Sequence, residues 1–231
     1  MKFTLFTELA ALPIVTVLTL IFLGVLAAAL SAALVYAYRS KQNDIRVKQG
    51  GPRALVYGAL CVSLSFLLSY IKFFEMPQGG SITLGAMLPI ALFANRFGLR
   101  DGLLAAFACG VLQFFQEPIA VHWLSPALDY VLAFTCFGLA ALFPKSLPIG
   151  ILVGGIGRIL CSTISGALFF AEYAPAGMNP WIYSAIYNTL ALGPDAAICM
   201  IVAALPPVKR AFALLVPLKG EQTRAAATLP N

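Results

Sequence analysis

Apolar positions in this chain come in long, almost unbroken runs separated by short polar connections. Runs long enough to cross about 30 Å of hydrocarbon, roughly 20 residues each, occupy 9–38, 53–74, 124–143, 147–171 and 181–206. Two shorter, closely linked runs fill 81–95 and 99–115. In lipid each backbone N–H and C=O needs a partner within the protein, so runs of this kind predict helices. The expected fold is an all-α integral membrane protein, a six-helix bundle preceded by one additional N-terminal transmembrane helix. The expected boundaries are 1–52 for that helix and its basic linker, 53–208 for the six-helix membrane domain and 209–231 for a cytoplasmic tail.

Composition supports the same reading. With 61% hydrophobic and 10% charged residues among 231, the chain cannot hide its apolar side chains in one water-soluble core, so the solvent is a lipid bilayer. Basic residues gather in alternate connections: Arg39, Lys41, Arg46, Lys48 and Arg53, then Arg96 and Arg100, then Lys145, then Lys209, Arg210, Lys219 and Arg224. The opposite connections hold Lys2 and Lys72 beside Glu8, Glu75, Glu117 and Glu172. The positive-inside rule then sets the N-terminus outside a bacterial plasma membrane and the C-terminus in the cytoplasm. Residues 1–8 are not basic and the run behind them exceeds a leader's apolar core, which predicts a true span. The net charge of +6 belongs to these loops and does not point to nucleic acid.

Familiar catalytic signatures are missing from the sequence. It has no G-x-x-x-x-G-K-[ST] loop and no H-E-x-x-H helix. The five cysteines are odd in number and show no C-x-x-C spacing, so packing explains them better than a disulfide framework or zinc. The glycines of GILVGGIGRIL, residues 150–160, suit close helix contact rather than a dinucleotide loop. An intramembrane enzyme built on Asp129 and His122 would need a nucleophile beside a base, and no spacing offers one. The expectation is a non-enzyme without metal or cofactor.

Ionisable groups inside apolar runs are expensive and normally face a partner or a cavity. Arg158 and Asp195 each lie about eleven residues from the cytoplasmic end of their runs, at matching depth for 1.5 Å per residue. They are expected to form a structural ion pair away from any ligand, with Gly193 and Pro194 kinking the helix nearby. Asp129 stands instead about five residues from the outer end of its run, with no cation at its level. Near that depth come Phe169, Phe170, Tyr173, Trp181, Tyr183, Tyr187 and Asn188. An interfacial aromatic belt covers some of these rings, but not a buried carboxylate facing an amide. Rings plus a carboxylate suit a flat organic cation, and an amide adds selectivity for a heteroaromatic edge.

These residues also carry a resemblance. MPQGGSITLGAMLPI (76–90), SPALDYVLAFTCFGLAALF (125–143), and GALFFAEYA (166–174) followed by WIYSAIYN (181–188) are similar to the thiamine-specific S component of energy-coupling factor (ECF) vitamin transporters. The similarity runs from about 53 to 206. It implies six helices enclosing one thiamine near the outer face. The family's acidic-aromatic pair falls on Asp129 and Tyr130, its stacking ring on Phe170, its small glycine on Gly166, and its tyrosine and asparagine on Tyr183 and Asn188. Asp129 replaces a glutamate of the family pattern, Phe170 a tryptophan and Ser162 a histidine.

The resemblance further implies a lid over the site at 76–84, in which Gln78, Gly79, Gly80 and Ser81 close on the ligand and Ser81 and Thr83 begin the next helix. Gln78 and Glu117 are expected to face the cavity, and His122 to be a solvated interface residue. Having no nucleotide loop, the chain would depend on an ECF transmembrane coupling subunit carrying two ATPase subunits. Ala59 and Ser63 match the small-residue docking motif. Binding of another vitamin or a thiamine precursor, or a purely structural membrane role, remain alternatives.

Overall fold

The computed structural model describes residues 51–76, 80–175, 177–208 and 210. The run at 9–38, lid residues Gln78 and Gly79, and the tail from 211 onward lie outside the described residues.

Six helices follow one another: α1 (Pro52–Ser69), α2 (Leu88–Phe97), α3 (Leu99–Gln116), α4 (Ala127–Leu142), α5 (Leu147–Phe169) and α6 (Pro180–Ala204). Proline occupies the first or second position of α1, α2, α5 and α6, where a missing N–H breaks no helical bond and the fixed φ suits the first turn. The side chain of Asn179 caps α6 by accepting from Trp181 N at 2.9 Å. Between α2 and α3 the chain turns on Gly98, whose φ of 101° closes one helix and opens the next without a linker. α1, α5 and α6 are long and apolar enough to cross a membrane, whereas α2 has only 10 residues.

Two departures from the expected helices matter to the site. First, residues 81–83 are not helical. They form β2 (Ser81–Thr83), paired antiparallel with β1 (Lys72–Glu75), and α2 begins only at Leu88. Gly85, with φ 72°, lies between the strand and the helix, and the Thr83 backbone N–H and hydroxyl both donate to Asp195 instead of opening a helical turn. Second, α4 is not uniform: it runs as a π-helix over Ala127–Leu132, an α-turn over Ala133–Thr135 and a 3-10 helix over Cys136–Leu142.

At the end away from the hairpin the helices meet main chain against main chain. A Cβ added at Gly102, Gly138, Gly150 or Gly154 would come within 3.0 Å of backbone atoms of Ala94, Leu103, Ala140 or Phe137 on the neighbouring helix. Glycines 150 and 154 therefore do what their spacing predicts, letting α5 press against α4. Phe137, Ile90, Ile151, Cys109 and Cys199 fill the core there, each at most 1% exposed. The outward faces are apolar: Leu55, Leu67, Leu104 and Ile201 are all more than half exposed, the pattern of side chains that meet lipid.

Candidate functional site

At the hairpin end the helices spread apart around a cavity of about 140 Å³. Its wall is assembled from five elements: Gly80 and Ser81 from the hairpin, Gln113 and Glu117 from the end of α3, Asp129 and Tyr130 from α4, Arg158 and Ser162 from α5, and Asn188 and Leu192 from α6. Phe170, Tyr173, Tyr183 and Tyr187 supply the aromatic faces.

Asp129 sits in the π-helical part of α4, where a turn wider than the α-helix re-aims its side chain relative to the helix on either side. Its Oδ2 accepts a 2.5 Å hydrogen bond from the Ser165 hydroxyl of α5. That bond orients the carboxylate but leaves its charge for something in the cavity. Tyr130 is fixed by its own hydroxyl, which donates to the Glu117 carbonyl at 2.5 Å and so ties α4 to the end of α3. Its ring packs edge-on against Phe114, with centroids 5.3 Å apart.

Across the cavity, Asn188 donates from Nδ2 to the Ser184 carbonyl at 2.9 Å, and to the Ser162 carbonyl and Ser184 Oγ at 3.2 Å each. Its amide protons are committed within the α5–α6 contact, so what it can offer a ligand is the carbonyl oxygen. Gly166 is needed at this contact: a Cβ there would run into Ser184 and approach Asn188 Nδ2 at 3.5 Å. The Phe170 and Tyr173 rings lie 6.1 Å apart, and those of Tyr183 and Tyr187 lie 5.8 Å apart, giving two tilted aromatic pairs on neighbouring segments.

The structure thus brings together Asp129, Tyr130, Ser162, Gly166, Phe170, Tyr183, Asn188, Gly80 and Ser81 around one cavity, which Glu117 also lines. His122 and Phe169 are elsewhere; their rings stack on each other at 4.7 Å. Trp123 is 79% exposed. Gln113, Ser184 and Leu192 line the cavity without having been singled out by the sequence. Gln113 resembles an ordinary polar residue near a helix end, and Ser184 an ordinary small helical residue.

Arg158 and Asp195 require a correction. They do face each other, but at 4.0 Å from Nη1 to Oδ2, the loose limit of an ion pair, and they are not remote from the site. Arg158 lines the cavity with its guanidinium 4.2 Å from the Phe134 ring centroid. The other Asp195 oxygen accepts from Thr83 Oγ1 at 2.6 Å and Thr83 N at 3.3 Å, so the carboxylate ties α6 to the hairpin. Asp129 therefore has a cation on the same cavity wall, contrary to the depth count along the sequence.

A lipid-facing helical bundle with one half-polar, ring-lined cavity at one end defines a membrane-embedded solute-binding protein. The sequence profile of the family described as Thiamine transporter protein (Thia_YuaJ) matches residues 55–214, and the chain belongs to that family. Among relatives, the thiamine transporter ThiT of Bacillus subtilis (strain 168) is 31% identical over 170 residues, 65% of this chain and 88% of that protein. ThiT of Lacticaseibacillus paracasei is 29% identical over 150 residues, 56% of this chain and 74% of that protein. The solved structure of ThiT from Listeria monocytogenes shares the fold, with a TM-score of 0.62 at 20% identity, over 69% of this chain and 96% of that one.

Proposed function

We propose that residues 53–208 form the thiamine-binding S component of an energy-coupling factor transporter. The observation that carries this reading is the Asp129 carboxylate, hydrogen-bonded to a neutral hydroxyl and facing a cavity walled by rings and by Asn188. Thiamine matches those groups chemically. Its thiazolium cation suits a desolvated carboxylate and aromatic faces. The exocyclic amine of its pyrimidine can donate to the Asn188 carbonyl oxygen. Names of the relatives point to the same vitamin.

Binding alone does not move a solute uphill, and the sequence carries no nucleotide-binding loop. Uptake therefore calls on a transmembrane coupling subunit with two ATPase subunits. Ala59 and Ser63 stand exposed on one face of α1, one turn apart, where small side chains permit close helix approach. The cavity end carries Glu75, Glu117 and Glu172, and the far end Arg53, Arg96, Arg100 and Lys145. The positive-inside rule then turns the cavity outward, with the N-terminus outside and the C-terminus cytoplasmic.

The test is calorimetric titration of the purified protein with thiamine, with mass spectrometry of what copurifies. Saturable one-to-one binding is expected. No heat of binding and no bound thiamine would remove the assignment.

A further inference from the structure

Gln113 on α3 and Arg158 on α5 share an unusual feature: Gln113 Nε2 and Arg158 Nε are buried and have no hydrogen-bond partner. Buried donors are almost always matched, so an orphaned pair in one place marks somewhere a partner binds. Both residues line the main cavity and also a smaller chamber of about 30 Å³ against it, whose far wall holds Ser69, Thr83 and Asp195.

Charge and size limit the occupant. Lys72 is paired with Glu75 at 3.1 Å and with Glu117, and Arg158 faces Asp195, so two cations already meet three carboxylates and an added anion would be repelled. What two spare donors require is an uncharged oxygen acceptor. A chamber of about 30 Å³ admits a group the size of a water or a hydroxyl and not a ring.

We propose that Gln113 and Arg158 form an acceptor subsite at the floor of the cavity, which takes the neutral hydroxyl at the end of the ligand's flexible arm. The inference rests on the thiamine reading. With the thiazolium ring at Asp129, the hydroxyethyl arm of that ring supplies the oxygen, and Ser81, which lines both spaces, can accept the hydroxyl's own proton. Arg158 then has a part beyond bracing Asp195. A guanidinium beside a cationic ligand is tolerable when it meets the ligand's oxygen rather than its charge.

The experiment compares thiamine with an analogue whose hydroxyethyl arm is replaced by ethyl, by calorimetric titration of the wild-type protein and of Gln113→Leu. Against wild type the ethyl analogue should bind roughly tenfold more weakly or worse, the loss expected when donors that include a charged group go unmatched. In Gln113→Leu the gap between the ligands should narrow, as it does for groups in direct contact. Equal wild-type affinity for the two ligands overturns the subsite while leaving the thiamine reading intact. An unchanged gap in Gln113→Leu overturns the part given to Gln113. Failure of wild type to bind either ligand overturns the thiamine reading and this inference with it. The wild-type comparison needs no variant, so a poorly folding Gln113→Leu protein would not shield the proposal.

Discussion

Asp129 is held by the Ser165 hydroxyl at 2.5 Å, a bond that fixes its direction without cancelling its charge. If a cation completes that charge, Asp129→Asn keeps the hydrogen bond and loses the Coulomb attraction. Binding should weaken by about 2 kcal/mol or more, near thirtyfold, with the melting temperature little changed; calorimetry of the two proteins decides it. Gly166→Ala probes the opposite wall. The new methyl collides with Ser184 and crowds Asn188, so both thiamine affinity and melting temperature should fall. Asp129, Phe170 and Asn188 were legible in the sequence because a carboxylate and an amide inside apolar runs have few inexpensive homes. Arg158 was misplaced for a geometric reason. Counting residues assumes a shallow site, but the cavity descends to Phe134 and Leu192, one turn above Asp195, and so reaches the level of the guanidinium.

Among the elements, the hairpin departs furthest from its sequence reading. An apolar run such as 81–95 does not distinguish strand from helix, and what decides here is distant in sequence: the Thr83 hydroxyl reaches Asp195 across 112 residues, at 2.6 Å. The other strand is pinned as well, through the ion pair of Lys72 with Glu117 at the end of α3. Since β2 also brings Ser81 to the cavity wall, the hairpin is a clasp whose fastening lies on α6. Thr83→Val removes the hydroxyl bond and leaves Asp195 Oδ1 with the longer backbone contact of 3.3 Å. Amides of 72–76 and 80–83 should then exchange with deuterium faster in the absence of thiamine, as followed by mass spectrometry, while those of α5 stay unchanged. The mixed winding of α4 was equally invisible, because its apolar sequence fits an α-helix throughout and only packing reveals the wider turn.

At the scale of the whole molecule, the number and order of the described helices follow directly from the apolar runs, and family membership bears out the resemblance read from 76–90, 125–143 and 166–188. The proposed docking face makes a separable prediction. Ala59→Trp and Ser63→Trp place bulk on the exposed side of α1, away from the cavity. Each variant should bind thiamine as wild type does and fail to take it up in cells that carry the coupling subunit and its ATPases. Radiolabelled uptake measured beside calorimetry checks both halves, and surviving uptake in both variants would move the docking face elsewhere.

The glycine contacts of Gly102, Gly138, Gly150 and Gly154 seal the end opposite the cavity with main chain against main chain. A ligand held at Asp129, as proposed, would therefore sit in a cup rather than a channel, since prising those helices apart would break packing along three successive seams at once.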